Sequence, residues 1–278
     1  MTTPPAALNP AVTLEVQDRV AVIGLSRPDR GNAVSLAMAR GLRDTVAAVG
    51  RGPGLGAVVL AGQGGQFCVG GDLREFAAAH APRDFLAELA ATAHDVVLGL
   101  RSLPVPVVAA VQGACAGAGL GFALACDLVV AEQNARFVVA YTAAGLSPDC
   151  GVSWALTRIL GAPRAADLIL TNRPLDGLQA YDWGLVSRVV QPGQARQAAL
   201  NLARELADGP DAALSHSVRL IRDAPDRPLE DHLRHEAACI ADAIGTPGGA
   251  EGVAAFLARR RPDFAAHRHP KGQSHDDL

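Results

Sequence analysis

Residues 107–121 read VVAAVQGACAGAGLG, and this stretch decides the fold prediction. The apolar run at residues 107–111 is typical of a strand that is buried on both faces. Four glycines follow within residues 113–121, and glycine permits left-handed backbone and close approach of a ligand to the main chain. We expect a helix to begin inside the glycine-rich stretch and to end near Asp127, with free N–H groups at its N-terminus.

A second segment repeats this arrangement earlier in the chain. Residues 57–61 (AVVLA) predict another buried strand, and residues 62–73 (GQGGQFCVGGDL) form a second glycine-rich loop. Two backbone N–H groups that converge on one carbonyl oxygen form an oxyanion hole, which is usually the largest contribution to catalysis of acyl chemistry. The alternative is that the glycines serve only tight helix packing. A dinucleotide-binding fingerprint is disfavoured, because Phe122 stands where that motif needs glycine or alanine.

The rest of the chain predicts a core of strands and helices followed by a helical region. Further strands are expected at residues 12–16, 20–25, 128–131 and 137–139, and helices at residues 36–49 (capped by Ser35), 83–101 and 153–160. From Pro192 onward the pattern is helical, at residues 194–207, 211–222, 229–244 and 250–260. We therefore predict an α/β core at residues 1–191 and a helical region with a polar tail at residues 192–278.

Composition excludes several classes of function. The chain has 278 residues and a formal net charge of −3, so no long-range field favours nucleic acid or an anionic membrane surface. Its five cysteines form no CxxC pair, a pattern typical of reduced, buried thiols. The first ten residues hold no basic region or long apolar run, and apolar runs elsewhere are shorter than a membrane span. We expect a cytoplasmic protein without nucleic-acid or membrane partners.

In combination, the segments resemble those of the crotonase (enoyl-CoA hydratase/isomerase) superfamily over residues 12–264. The segments that carry the resemblance are LSRPDRGNA at residues 25–33, FCVGGDL at 67–73, VAAVQG at 108–113, GAG at 117–119, CD at 126–127, GLSPDCG at 145–151, WGLV at 183–186 and EGVAAFL at 251–257. The resemblance implies a ClpP/crotonase-like spiral of ββα units with a C-terminal helical trimerisation region. It also implies assembly as a homotrimer or homohexamer.

The same resemblance implies an acyl-CoA thioester as substrate, with coenzyme A as the carrier of the acyl group and with no further cofactor and no metal. By position, the oxyanion donors would be the N–H groups of Gly71 and Ala118. Coenzyme A would contact an N-terminal loop and the first oxyanion segment, and the last helix would complete the coenzyme A site of a neighbouring subunit. The residues implied are Arg27, Arg30, Ala33, Gln66, Cys68, Val69, Phe256 and Arg259. For the arginines at the end of the last helix, Arg259 and Arg260, the alternative is a solvated helix end that the helix dipole favours.

The residues on the acyl side argue against ordinary hydration. In the hydratases of this superfamily two glutamates share a water molecule, and Gly121 and Tyr141 stand at those positions. Neither residue serves as a general base at neutral pH. Asp149 remains, at a position where dienoyl-CoA isomerases, epoxyphenylacetyl-CoA isomerases and 4-chlorobenzoyl-CoA dehalogenases carry a catalytic aspartate. The alternative is that Asp149 only caps the helix that follows.

Three functions are compatible with this pattern. The first is an acyl-CoA isomerase in which Asp149 moves a proton between carbons of an oxyanion-held dienolate. The second is hydrolytic dehalogenation of an aryl-CoA, with Asp149 as nucleophile and His94 as base. His94 falls at the dehalogenases' histidine position, although a packed or surface histidine is the alternative. The third is a non-catalytic acyl-CoA-binding protein. His232 and His235 lie one helical turn apart without a third ligand, so no metal site is predicted.

Overall fold

The computed structural model describes residues 10–267 of the chain. The predictions for residues 1–9 and for residues 268–278 of the polar tail lie outside the described residues. Within residues 10–267, no helix is both long and apolar enough to cross a membrane.

Nine strands within the described residues form two sheets. They are β1 (Val12–Gln17), β2 (Val20–Leu25), β3 (Ala57–Gly62), β4 (Val107–Val111), β5 (Ala114–Ala116), β6 (Leu128–Glu132), β7 (Arg136–Val138), β8 (Leu175–Asp176) and β9 (Arg188–Val190). The larger sheet has the order β1-β2-β3-β4-β6-β9, and the smaller one has the order β5-β7-β8. In the larger sheet β1 and β2 are antiparallel, whereas every later neighbour pairs in parallel.

Eleven α-helices occur within the described residues. They are α1 (Leu36–Arg51), α2 (Leu73–Ala78), α3 (Pro82–Ser102), α4 (Ala118–Ala125), α5 (Val152–Leu160), α6 (Ala162–Thr171), α7 (Gly177–Asp182), α8 (Ala195–Ala207), α9 (Asp211–Asp223), α10 (Leu229–Ile244) and α11 (Pro247–Leu257). The predicted cap of α1 is confirmed, because the Ser35 side chain accepts a hydrogen bond from the Met38 N–H at 3.1 Å. The predicted α/β class is confirmed as well.

The central strands bring the two glycine-rich segments together. β3 and β4 are buried along their whole length and pair in parallel, with Leu60 opposite Ala109. The carboxyl ends of parallel strands lie at the same edge of a sheet, which is where ligands bind in open α/β folds. The loops that leave β3 and β4 also pair with each other through a bridge between Cys68 and Cys115. A candidate site is therefore expected where these loops meet.

Six short elements have no counterpart in the sequence predictions: α2, α6, α7, β5, β8 and β9. The three strands span only two or three residues, too few for a period-two pattern to be recognised. α2 has no buried residue and therefore no apolar stripe. α7 did carry a usable signal, since Asp176 and Gln179 form a capping box at its start.

The described residues form two compact units that divide between Arg204 and Glu205. This division falls within α8, whereas the sequence predicts a boundary before that helix, between residues 191 and 192. The second unit contains α9, α10 and α11. Its most buried acidic side chain is Glu251, which accepts hydrogen bonds from both terminal nitrogens of Arg260 at 2.6 and 2.8 Å and from the Asp263 N–H at 2.7 Å. Glu251 thereby ties the segment after α11 to that helix.

The second unit should lose stability in acid through Glu251. The hydrogen bonds from Arg260 and from the Asp263 N–H lower the pKa of this carboxyl from its ordinary 4.5 to about 2. A lowered pKa in the folded state means that the stabilisation is present above about pH 4.5 and is lost as the pH falls toward 2. Glu251→Gln should remove this part of the pH dependence, as measured by chemical unfolding at a series of pH values.

Glu230→Gln provides the matched control, because the Glu230 side chain is 86% exposed and its pair with Arg234 lies on the helix surface. That variant should keep the acid-side fall in stability of the unaltered protein. An equal fall in Glu251→Gln would contradict the assignment.

Candidate active site

The two predicted oxyanion segments lie at the ends of β3 and β4 and present free N–H groups. Val34 donates its N–H to Gly70 O at 2.8 Å and accepts from the Asp72 N–H at 3.0 Å. Gly71 lies between these two bonds, and its N–H faces the opposite side because successive groups of an extended chain alternate. Ala118 is the first residue of α4, where the N–H has no partner within the helix. Among residues 10–267, neither N–H has an acceptor.

Glycines allow the two loops to approach each other closely. Gly70 and Gly117 both have left-handed backbone, with φ of 101° and 52°. Gly117 caps α4, and a side chain on Gly119 would stand 2.6 Å from the Cys68 Cβ. Tight packing is therefore a real role of these glycines, and the same packing places the α4 N-terminus beside the loop after β3. The oxyanion role of the two segments stays a prediction.

Gly71 and Ala118 line a mostly apolar cavity of about 400 Å³. Its apolar walls come from Val34 before α1, from Val69 in the loop after β3, and from side chains of α2, α3 and the loop before α5, namely Leu73, Phe76, Leu86, Ala87, Leu89, Ala90, Ala93, Ala140, Ala144 and Leu146. Its polar lining side chains are Arg83, Tyr141, Ser147 and Asp149, with the thiol of Cys150 beside them. Among the described residues that line it, Asp149 is the single carboxylate. A few polar groups in an apolar cleft are typical of a small-molecule site.

Asp149 projects from a tightly turned loop before α5. Cys150 and Gly151 both adopt left-handed backbone, with φ of 50° and 73°, and the Asp149 carbonyl accepts from the Val152 N–H at 3.0 Å. The N-cap of α5 is Gly151, and no side chain caps this helix. The carboxylate of Asp149 instead accepts a hydrogen bond from the hydroxyl of Tyr141. Asp149 therefore does not act as a helix cap.

Tyr141 and Cys150 stay protonated beside Asp149. Burial raises the pKa of the Tyr141 phenol well above its usual range, and the neighbouring Cys150 and Asp149 raise it further. Burial and the charge of Asp149 likewise raise the pKa of the Cys150 thiol well above its usual range. A thiol that stays protonated is a poor nucleophile. Asp149 is therefore the group of this trio that can carry negative charge and accept a proton.

His94 lies close to Asp149 but outside the cavity lining. Its Nε2 accepts a hydrogen bond from the Cys150 N–H at 3.2 Å, and the residue is exposed on α3. Donor atoms of His94, Asp149 and Cys150 lie within 4.8 Å of one another, and this is the one group of three metal-ligand residue types found among residues 10–267. The thiol would have to lose its proton to bind a metal. The raised thiol pKa and the engaged His94 nitrogen therefore fit a metal poorly.

Gly121 faces the Asp149 loop at contact distance. A Cβ at this position would lie 2.5 Å from the carbonyl oxygen of Cys150 and 2.6 Å from the Cβ of the same residue. The hydratase pattern has glutamate here, and no side chain fits unless the loop moves. The structure thus gives a steric reason why this chain holds one carboxylate in its cavity.

Gly121→Ala is expected to lower the free energy of unfolding by roughly 1–3 kcal/mol, because the added methyl overpacks the contact with Cys150. The matched control is Gly50→Ala in α1, where the nearest atom would be a Leu103 side-chain carbon at an ordinary 3.4 Å. That control should be neutral or stabilising by up to about 1 kcal/mol. Chemical denaturation measures both variants. If Gly121→Ala proves as stable as Gly50→Ala, the proposed crowding is wrong.

The loop at residues 25–33 is held by its own polar side chains. Arg27 donates to Asp72 Oδ2 at 2.9 Å and to the carbonyl of Ala33 at 2.6 Å. Asn32 is fully buried, donates through Nδ2 to the carbonyls of residues 63, 66 and 67, and accepts from the Arg27 N–H at 2.8 Å. Arg30 is exposed and lies 3.6 Å from Asp29. The sequence alone assigns no role to Asn32, and its many hydrogen bonds show that it organises this loop.

Three of the predicted coenzyme A contacts lie in the first oxyanion segment. Val69 is half-exposed and lines the cavity. The side chain of Gln66 accepts from the Ala114 N–H and so joins the two loops. Cys68 is fully buried, and its thiol donates to the Asn32 carbonyl at 3.1 Å. Burial raises the pKa of this thiol to about 12. Gln66 and Cys68 therefore shape the segment, while Val69 offers a surface to a ligand.

Phe256 and Arg259 belong to the second unit. Phe256 is 82% exposed near the end of α11, and Arg259 follows the helix with a left-handed φ of 52°. Arg260 is engaged by Glu251, so its side chain is not simply a solvated helix end. A coenzyme A contact by Phe256 and Arg259 stays a prediction.

The comparisons with known proteins agree with this fold and cavity. Residues 15–267 match the enoyl-CoA hydratase/isomerase family, and the chain belongs to it. The 1,2-epoxyphenylacetyl-CoA isomerase of Escherichia coli (strain K12) is 35% identical over 251 residues, which cover 90% of this chain and 96% of that protein. The 4-chlorobenzoyl coenzyme A dehalogenase-2 of Arthrobacter sp. is 33% identical over 253 residues, which cover 89% and 91%.

A solved structure confirms the crotonase fold. The crystal structure of an enoyl-CoA hydratase from Polaromonas sp. JS666 superposes with a TM-score of 0.86 at 35% identity, and the match covers 90% of this chain and 98% of that one. The chain is thus an acyl-CoA-transforming enzyme of the crotonase superfamily. Its relatives include isomerases, hydratases and dehalogenases, so the reaction has to be argued from the site itself.

Proposed function

We propose that the protein isomerises an unsaturated acyl-CoA by moving a proton with Asp149. The N–H groups of Gly71 and Ala118 hold the thioester carbonyl oxygen. The Asp149 carboxylate removes a proton from carbon, and the electrons of the C–H bond pass into a dienolate whose oxyanion these donors stabilise. The resulting carboxylic acid returns the proton to another carbon of the dienolate. The double bond moves, and the formula of the thioester is unchanged.

The observation that carries this proposal is the single carboxylate in the cavity. Addition of water by the hydratase route needs two carboxylates around one water molecule, and Gly121 and Tyr141 supply neither. A proton shuttle needs one group that is alternately base and acid, and Asp149 lines the same cavity as the two N–H donors.

Mass spectrometry in D₂O tests the proposal. A panel of enoyl-, dienoyl- and aryl-CoA thioesters is incubated with the protein, and the mass of each thioester is followed. Deuterium uptake without any other change of formula supports isomerisation. Gain of a water molecule would show a hydratase, and loss of every activity across the panel would favour a non-catalytic acyl-CoA-binding protein.

Hydrolytic dehalogenation is the second candidate, because His94 lies beside Asp149. In that reaction Asp149 attacks an aryl carbon and expels halide, and His94 activates the water that cleaves the aryl ester. The 4-chlorobenzoyl relatives favour this candidate, whereas the position of His94 outside the cavity lining counts against it. Incubation of a His94→Ala variant with 4-chlorobenzoyl-CoA should accumulate an aryl adduct on Asp149 if this candidate is right. Unmodified Asp149 peptide would reject it.

We further propose that the chain assembles as a homotrimer or homohexamer that acts on acyl-CoA. The second unit exposes large apolar side chains that another copy would cover, among them Ile221, Leu229, Ile240, Phe256 and Leu257. Light scattering should give three or six times the chain mass of 28.6 kDa. A mass of one chain would reject the assembly.

A further inference from the structure

The loop that carries Asp149 has a backbone that needs outside support. Cys150 is a non-glycine residue with a left-handed φ of 50°, and Gly151 continues in the same region. Such a conformation is strained at a residue with a Cβ and persists only where surrounding contacts hold it. Two side chains supply contacts here: His94 from α3 and Tyr141 from an earlier part of the same loop.

His94 supports the main chain of this loop from α3. Its Nε2 accepts the N–H of Cys150 at 3.2 Å, and a ring nitrogen that accepts a hydrogen bond carries no proton. The lone pair that a general base would use is therefore directed at the peptide after Asp149. His94 is also absent from the lining of the cavity among the described residues.

Tyr141 supports the side chain of Asp149 from an earlier part of the same loop, which joins β7 to α5. Its own carbonyl accepts from the N–H groups of Ala144 and Leu146 at 2.9 and 3.0 Å, which fixes the residue in a short helical turn. Its hydroxyl donates to one oxygen of the Asp149 carboxylate, Oδ1. The Tyr141 side chain is half-buried, and because its hydroxyl stays protonated it donates throughout the reaction. The carboxylate thus keeps a fixed orientation, and Oδ2 is the oxygen left to exchange a proton with substrate.

We propose that His94 and Tyr141 are positioning residues that together hold Asp149, and that neither exchanges a proton with substrate. His94 fixes the peptide on the C-terminal side of Asp149, and Tyr141 fixes its carboxylate. This inference rests on the proposed function for its kinetic consequences, since it takes Asp149 as the proton shuttle. Its structural part, the support of the Cys150 N–H by His94, is independent of the reaction.

The pair of variants His94→Gln and His94→Ala separates positioning from base catalysis. The amide oxygen of glutamine can accept the Cys150 N–H where histidine does, but glutamine cannot act as a base. We expect His94→Ala to lower kcat roughly 10-fold with little change in KM, and His94→Gln to recover activity to within about 3-fold of the unaltered enzyme. Exposed His80, outside the cavity lining, gives the matched control His80→Ala, which should leave kcat unchanged. Equal inactivation by glutamine and alanine would overturn the positioning role.

Tyr141→Phe tests the other support. Loss of a hydrogen bond to a charged carboxylate should lower kcat roughly 10- to 100-fold, again with a smaller effect on KM. Phenylalanine fills the same space, so a loss of packing is not expected to contribute. Unaltered kcat in this variant would overturn the role of Tyr141.

Amide hydrogen exchange of the peptide around Cys150 provides a readout that needs no reaction. We expect faster exchange of the Cys150 amide in His94→Ala and slow exchange in His94→Gln. If the proposed function fails, the unaltered protein shows no isomerisation while this exchange pattern still appears. Equal exchange in all three proteins would overturn the inference even in an active isomerase.

Discussion

Replacement of Asp149 by asparagine is expected to lower kcat for double-bond migration by roughly 10²- to 10⁴-fold, the usual contribution of a positioned general base. Asparagine has the same shape, and its side-chain oxygen can still accept the hydrogen bond that Tyr141 donates to Asp149. The loop should therefore keep its conformation, and the change removes basicity alone. KM should change much less than kcat, because the N–H groups of Gly71 and Ala118 are untouched.

The matched control for this prediction is Asp95→Asn. Asp95 is exposed on α3 and does not line the cavity, so its substitution changes the protein's charge equally without touching the site. Steady-state kinetics on one isomerisable enoyl-CoA compares the two variants. Full activity in Asp149→Asn would show that another group moves the proton.

Ala118→Pro is expected to cost roughly 10²- to 10³-fold in kcat, the effect of removing one oxyanion donor. Ala118 is the first residue of α4, where proline is well tolerated because its fixed φ suits a helix start and its missing N–H has no helical partner. The substitution therefore deletes a hydrogen-bond donor at a position where the helix does not need it. The proline ring occupies space on the cavity side, so acyl-CoA affinity has to be measured together with kcat.

Ala118→Gly is the control, because it keeps the N–H group and removes only a methyl. It should retain activity to within a few-fold, and thermal unfolding should show that both variants are folded. If Ala118→Pro binds acyl-CoA and turns it over as fast as Ala118→Gly, the Ala118 N–H is not an oxyanion donor.

The main elements of the fold could be predicted because their signals are local. The apolar runs of β3 and β4 and the Ser35 cap of α1 follow from a few neighbouring residues. β8 depends on contacts with distant residues: a Cβ on Gly177, which directly follows this strand, would lie 2.1 Å from the Glu132 carbonyl oxygen, which shows how tightly the chain packs here. Close approaches of this kind leave no periodic pattern in the sequence.

The candidate site could be predicted only as a set of positions. Resemblance places Gly71, Ala118 and Asp149 in one site, and the structure brings all three to one cavity. The resemblance does not predict the hydrogen bond from Tyr141 to Asp149 or that from Cys150 to His94, which join residues 8 and 56 positions apart. The first bond depends on how the loop between β7 and α5 folds, and the second on how that loop packs against α3. Their consequence, that His94 supports a peptide, differs from the base role that its position suggests.

Formation of the enolate tests the central claim most directly, and it needs no knowledge of the natural acyl group. Phenylacetyl-CoA has acidic α-protons and no double bond to move outside its ring, so its exchange in D₂O reports proton removal alone. We expect proton NMR to show enzyme-dependent loss of the α-proton signal with the unaltered protein, and exchange slower by at least about 100-fold with Asp149→Asn. Equally fast exchange in Asp149→Asn would contradict Asp149 as the proton-transferring group.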